Sequence, residues 1–156
     1  MVEISLTRGA TVEVRRADPG TADGAFPHPW RCVHVVTAHN PGSRLLTEDD
    51  NARRNDRLRA DIVALAATWR PALGRSEPPD PPWQEDSFAL FDVARRDVLE
   101  LARRHGQAAV YEWTLRHRAV VLCDPTGGEP DDGMLTTGWV AQIRRHPRRA
   151  TRGLTG

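Results

Sequence analysis

Apolar and polar residues alternate through residues 2–6 (VEISL) and 11–15 (TVEVR), with Thr7-Arg8-Gly9-Ala10 between them, which predicts an N-terminal hairpin. Residues 17–30 are rich in Gly and Pro and read as a loop. The run RCVHVVTA, residues 31–38, is apolar on both faces, so it is expected as a central strand of its sheet. From Thr47 the period changes to that of a helix. Thr47 stands as cap with Asp50 three residues on, acids fill the first turn, and Leu58, Ile62 and Leu65 make an apolar stripe. Residues 68–76 look extended and are placed at a sheet edge, because Pro71 has no N–H to give to a ladder. After the proline-rich connection EPPDPPWQ, residues 85–91 (EDSFALF) are a strand and residues 92–106 a second helix, with Asp92 as its cap and Gly106 as its stop. Residues 108–114 and 117–124 follow as two strands joined tightly through Leu115 and Arg116. Past Asp124 the stretch PTGGEPDDG reads as a surface loop, and the pattern beyond it is weak.

Helices linking strands in this order favour an α+β fold. The expected form is helices packed on one mixed or antiparallel sheet, a ferredoxin-like βαββαβ core with an N-terminal hairpin, and a larger mixed sheet is the alternative. At 156 residues one domain is the default, assigned to residues 1–140. Residues 141–156 are expected as a basic, flexible tail, so truncation after Trp139 is expected to leave the fold intact.

Composition narrows the chemistry. Every one of the 22 basic residues is Arg, which excludes a Walker-A lysine and a lysine Schiff base. Five of these Arg residues and no acid follow Gly138, so the rest of the chain is net acidic and the terminus is a separate feature. No apolar run is long enough for a membrane span, and the first residues lack the apolar region of a signal peptide; a cytoplasmic location is expected. Cys32 and Cys123 lie in apolar strands and read as buried free thiols. Neither H-E-x-x-H nor C-x-x-C occurs, Ser43 and Ser87 lack a nucleophile elbow, and no metal or cofactor is expected.

One segment does not read as ordinary loop. Stepping back along the first helix from Leu58 brings Arg54, Asn55 and Asn51 onto the buried side, near the strand end that delivers Asn40. Buried amides and a guanidinium need partners, since an unmade hydrogen bond costs roughly 1–3 kcal/mol. Those partners are either protein groups, with Arg54 paired to an acid such as Glu85, or a ligand. In the second case Arg54 would hold an anion, Asn40 and Asn51 would orient it, Ser43 and the backbone around it would add donors, and Glu85 would move a proton. Alternation places Glu85 and Ser87 on one strand face with Phe91, opposite Phe88 and Leu90. Gln107 after the glycine stop and Glu112 in YEWT complete the candidate set.

Thr37-Ala38-His39-Asn40-Pro41-Gly42-Ser43, then Asn51 with Arg54 and Asn55, Glu85-Asp86-Ser87-Phe88 and Gly106-Gln107-Ala108 resemble an uncharacterised bacterial domain-of-unknown-function family. That family has T-A-x-N-P-x-S, E-N-x-x-R-N and E-x-S-F motifs; Asp50 stands here where the second motif has Glu. The resemblance covers roughly residues 33–114 and implies no activity, only a shared polar site at Asn40, Asn51, Arg54, Glu85 and Gln107. The leading expectation is a small enzyme acting on an anionic metabolite or nucleotide-like ligand. The rivals are a non-catalytic ligand-binding or regulatory module and a nucleic-acid-binding protein that uses the Arg-rich tail. For the last, a net acidic body and the lack of an aromatic partner surface argue against binding of consequence.

Overall fold

The alternation read from the sequence becomes nine strands and two α-helices in the computed structural model, which describes residues 1–6, 10–77, 82–124 and 134–145. The elements are β1 (Val2–Ser5), β2 (Ala10–Ala17), β3 (Ala22–Gly24), β4 (Cys32–Val36), α1 (Glu48–Ala64), β5 (Thr68–Arg75), β6 (Gln84–Phe91), α2 (Arg95–Arg104), β7 (Ala109–Thr114), β8 (Arg118–Leu122) and β9 (Met134–Arg145).

The strands run in the order β2-β1-β5-β6-β4-β7-β8-β9, and β9 pairs back onto β2, so the sheet closes on itself. Every neighbour in this ring of eight is antiparallel, and β3 is added in parallel along β9. The expected ferredoxin-like α+β sheet is therefore incorrect: the fold is a closed antiparallel barrel with two helices on its outside. What overturns it is the pairing of Ala10–Ala17 with Gly138–Arg145. A closed ring needs no helical layer to cover an open sheet. Residues 141–145, assigned to the tail, belong to that closing strand, while the loop expected at 125–133 and the terminus from residue 146 lie outside the described residues.

Alternation sorts each strand between two cores. On β4, Val33 and Val35 point into the barrel with Ile4, Val14, Phe91 and Trp113, while Val36 points out beneath the helices with Leu58, Ile62, Leu90 and Leu101. Aromatic rings fill the lumen: Trp113 meets Phe26 at 4.7 Å and Trp139 at 5.4 Å, both edge to face. An eight-stranded barrel has an interior just wide enough for its own side chains or one small ligand, so whatever these rings leave open near an end is the available space.

α1 begins as expected, with the Thr47 hydroxyl accepting from the Asp50 N–H at 3.1 Å. It buries Asn51, Asn55, Leu58 and Ile62, and Leu65 is exposed. α2 departs from its expected start. Asp92 does not cap it; its carboxylate instead accepts from the Arg31 and Cys32 N–H groups at 2.8 and 2.9 Å. Gly106, at φ 75°, ends α2 as the sequence indicates. β5 is not an edge, because β1 and β6 flank it; the pairing with β1 ends at Ala72, one residue short of Pro71. Among the described residues no helix is long and apolar enough to cross a membrane.

Candidate functional site

The polar motif residues converge on the segment that leaves β4 and turns into α1. Asn40, itself in the left-handed region at φ 46°, donates its N–H to Asn51 Oδ1 at 2.9 Å. Its own Oδ1 accepts from Asn51 Nδ2 at 3.1 Å and from the Leu46 N–H at 3.0 Å. Asn55 accepts from the Ala38 N–H at 2.9 Å and donates to the Asp86 carbonyl at 2.8 Å. Arg54 donates to the carbonyls of Ala38 at 3.1 Å and His105 at 2.9 Å, and Gln107 to that of His39 at 2.8 Å. The amides of Asn51 and Asn55 and the Arg54 guanidinium are thus spent on backbone groups or on Asn40. Arg54 neither pairs with Glu85 nor offers a free fork to an anion, and its job is to tie the β4 exit to the end of α2. Ser43 is exposed in the short turn that follows Asn40.

One bond leads out of this lock. Asn40 Nδ2 donates at 3.1 Å to Glu85 Oε1, and Glu85 stands on the lumen face of β6 at the barrel mouth. Ser87, one step further in, is buried and donates to the Glu85 carbonyl at 3.2 Å. A cavity of about 170 Å³ opens beside them, bounded by Trp83, Gln107 and Tyr111. A second of about 170 Å³ shares Trp83, Tyr111 and Val120 with it and reaches Arg16, Arg75 and Arg118. An outer depression of about 440 Å³ continues past Glu85, Asn40, Ser43 and Gln107. The structure therefore brings Glu85, Ser87, Gln107, Asn40 and Ser43 to one opening and keeps Asn51 and Arg54 behind it as supports.

Glu112 is elsewhere. It faces outward from β7, opposite His34 in register, and lies under the start of α2. Arg95 grips it through two bonds of 2.8 and 2.7 Å, with His34 Nε2 at 3.0 Å and His117 Nε2 at 3.2 Å. Burial opposes ionisation there, but these hydrogen bonds outweigh it and hold the carboxyl well below the usual range. Cys32, His34 and Glu112 each place one potential ligand atom within 4.8 Å of the others. Both carboxylate oxygens are already engaged, however, and the guanidinium charge opposes a cation at that spot. Burial, reinforced by Glu112, pushes the Cys32 thiol up to about 12, so it is no nucleophile at neutral pH.

Three mouth residues were missed as site candidates from the sequence. Trp83 sits in the proline-rich connection, Tyr111 in an apolar strand, and Arg118 opens an alternating strand with nothing to mark it. Only closure of the ring turns its side of β8 into a lumen wall. Arg144, the first Arg of the basic stretch, pairs with Glu13 at 2.5 Å on the neighbouring strand.

Residues 36–110 match the model of a family described as "Protein of unknown function (DUF3293)", in agreement with the resemblance carried by the motifs. Comparisons with curated proteins and with solved structures gave no match. The matched segment runs from the end of β4 to the second residue of β7, and so contains the whole polar lock and Glu85.

Proposed function

We propose that this protein takes a small molecule into the barrel mouth and engages it through Glu85. The observation that carries the reading is the placement of that carboxylate: one oxygen is fixed by Asn40 from the locked segment, while the side chain borders two adjoining cavities. Pre-set polar groups at the edge of an apolar concavity are what ligand sites use for orientation. Trp83 and Tyr111 supply the apolar walls, Ser87 and Gln107 the flanking polar edge. A rigid support behind a contact group lowers the ordering cost of binding, which gives the buried amides of α1 a role in function without contact to the ligand.

The enzymatic form of this reading has Glu85 moving a proton; the binding-module form has it only accept a hydrogen bond. A thermal-shift screen against small polar metabolites tests the shared claim, since a ligand at about 100 times its Kd stabilises by ~2.7 kcal/mol. Glu85→Gln then separates the two. An enzyme loses turnover by orders of magnitude while binding falls modestly, whereas a binding module loses affinity and has no turnover to lose. A ligand whose stabilisation is the same in wild type and in both Glu85→Gln and Trp83→Ala does not sit in the mouth, and the proposal fails.

A further inference from the structure

Arg118 is only 7 % exposed, and its guanidinium makes no hydrogen bond or ion pair with any described residue. It lies over the Tyr111 ring, 4.8 Å from the centroid, and faces the second mouth cavity. Burial pushes its pKa down from the ordinary value, and Tyr111 and Glu77 oppose that shift. Among the described residues that line the cavity Glu77 is the one acid; its Oε1 is held by the Met1 amino group at 2.6 Å and by the Arg16 N–H at 3.4 Å, and its charge also acts on Arg118. Arg75 lines the same space and has a buried Nε without a partner, although its Nη2 reaches Glu3 at 3.3 Å. Arg16 adds a third guanidinium. Withdrawing a charge from water without a partner is costly, and buried charges are normally paired. Here positive charge and unused N–H donors face one small hollow.

We propose that this hollow is an oxyanion site in which Arg118, with Arg75 and Arg16 beside it, holds a carboxylate or phosphate group of the ligand. A guanidinium lying over an aromatic ring still carries N–H donors that an oxyanion can take. The proposal rests on the reading of the mouth as a ligand site and adds the substrate class. Because the two cavities share Trp83 and Tyr111, the ligand has an anionic end at Arg118, a body along those rings and a hydrogen-bond donor toward Glu85. Sequence reasoning assigned the anion to Arg54, which the fold spends on carbonyls; Arg118 takes that role.

The test titrates the full chain with benzoate and, separately, with inorganic phosphate, following the Trp83 indole resonance by NMR. Saturable binding of either probe is expected, weakened at least tenfold by Arg118→Gln and unchanged by Arg57→Gln on the exposed face of α1. The preferred probe identifies which oxyanion the site takes. If Arg118→Gln does not fold, the double variant Arg16→Gln/Arg75→Gln is read in its place and must weaken binding several-fold. Absence of saturation with both probes overturns the proposal, and so does equal affinity in wild type and the Arg variants. Equal affinity in the Arg variants together with a loss in Glu85→Gln removes the anion assignment and leaves the ligand-site reading of the mouth standing.

Discussion

Four donors on one buried carboxylate make Glu112 the residue with the clearest consequence for stability. Its folded pKa lies below the unfolded value of roughly 4.3. The stabilisation from ionised Glu112 is thus fully present above about pH 5, where the carboxylate is charged in both states. It is lost as pH falls through the depressed folded value, because the unfolded chain binds the proton first. Glu112→Gln leaves half-exposed Arg95 facing a neutral amide and costs the buried site its charge-assisted hydrogen bonds, a loss of about 1–3 kcal/mol at pH 7. Urea unfolding at pH 7 and pH 3 checks both statements. The variant is expected to lose much less stability than wild type between these pH values, and equal slopes would remove the assigned role. From sequence Glu112 reads as a cleft candidate, because the pattern of β7 does not show that α2 covers the face that carries it.

At the scale of elements, the motif residues divide into a lock and a presented group. The Thr37 hydroxyl donates to the Asp86 carbonyl and accepts from the His39 N–H, Asn40 and Asn51 bind each other twice, and Gly42 donates to the Gly106 carbonyl at 2.9 Å. Gly106 is the hinge point of this lock for two reasons. Its φ of 75° suits glycine, and an added Cβ would come within 2.9 Å of Pro41 Cβ. Gly106→Ala is therefore expected to cost more than ~1 kcal/mol and to speed amide exchange at Gly42 and Asn40 ahead of global unfolding. Unchanged exchange at those two amides would show that the segment is not held from α2. The helix start, the buried amide face of α1 and the glycine stop were all legible, because capping and helical period are local. What the amides bind was not: their partners lie on β4, β6 and the end of α2, and hydrogen bonds across that distance leave no period in the sequence.

At the scale of the whole molecule, the order of strands and helices through β8 was legible except for the short β3, which reads as loop, while β9 and the closure it makes were not. Most strands show their alternation locally, yet an open α+β sheet and a closed barrel write nearly the same pattern. The difference is one pairing between β2 and β9, elements near opposite ends of the chain, where Val12 faces Ile143 and Arg16 faces Trp139. β9 also combines polar outward residues with Gly138 and lumenal Trp139 and Ala141, so its apolar signal is diluted over a long strand. The expectation that truncation after Trp139 is harmless accordingly reverses. Such a truncation removes Val140–Arg145, the partners of Ala10–Arg15, and takes Ala141 out of the lumen. It strips most of β2 of a neighbour and leaves a long edge of unpaired N–H and C=O groups, the kind of edge that templates aggregation. It also opens the wall beside Arg16 and so dissolves the proposed anion site. The truncated chain is expected to elute as higher oligomers in size-exclusion chromatography, to unfold at a clearly lower temperature and to lose benzoate and phosphate binding together. A monomer with the full-length melting temperature would mean that the β2–β9 seam is dispensable, and the mouth would then have to hold its ligand from the β4–β7 side alone.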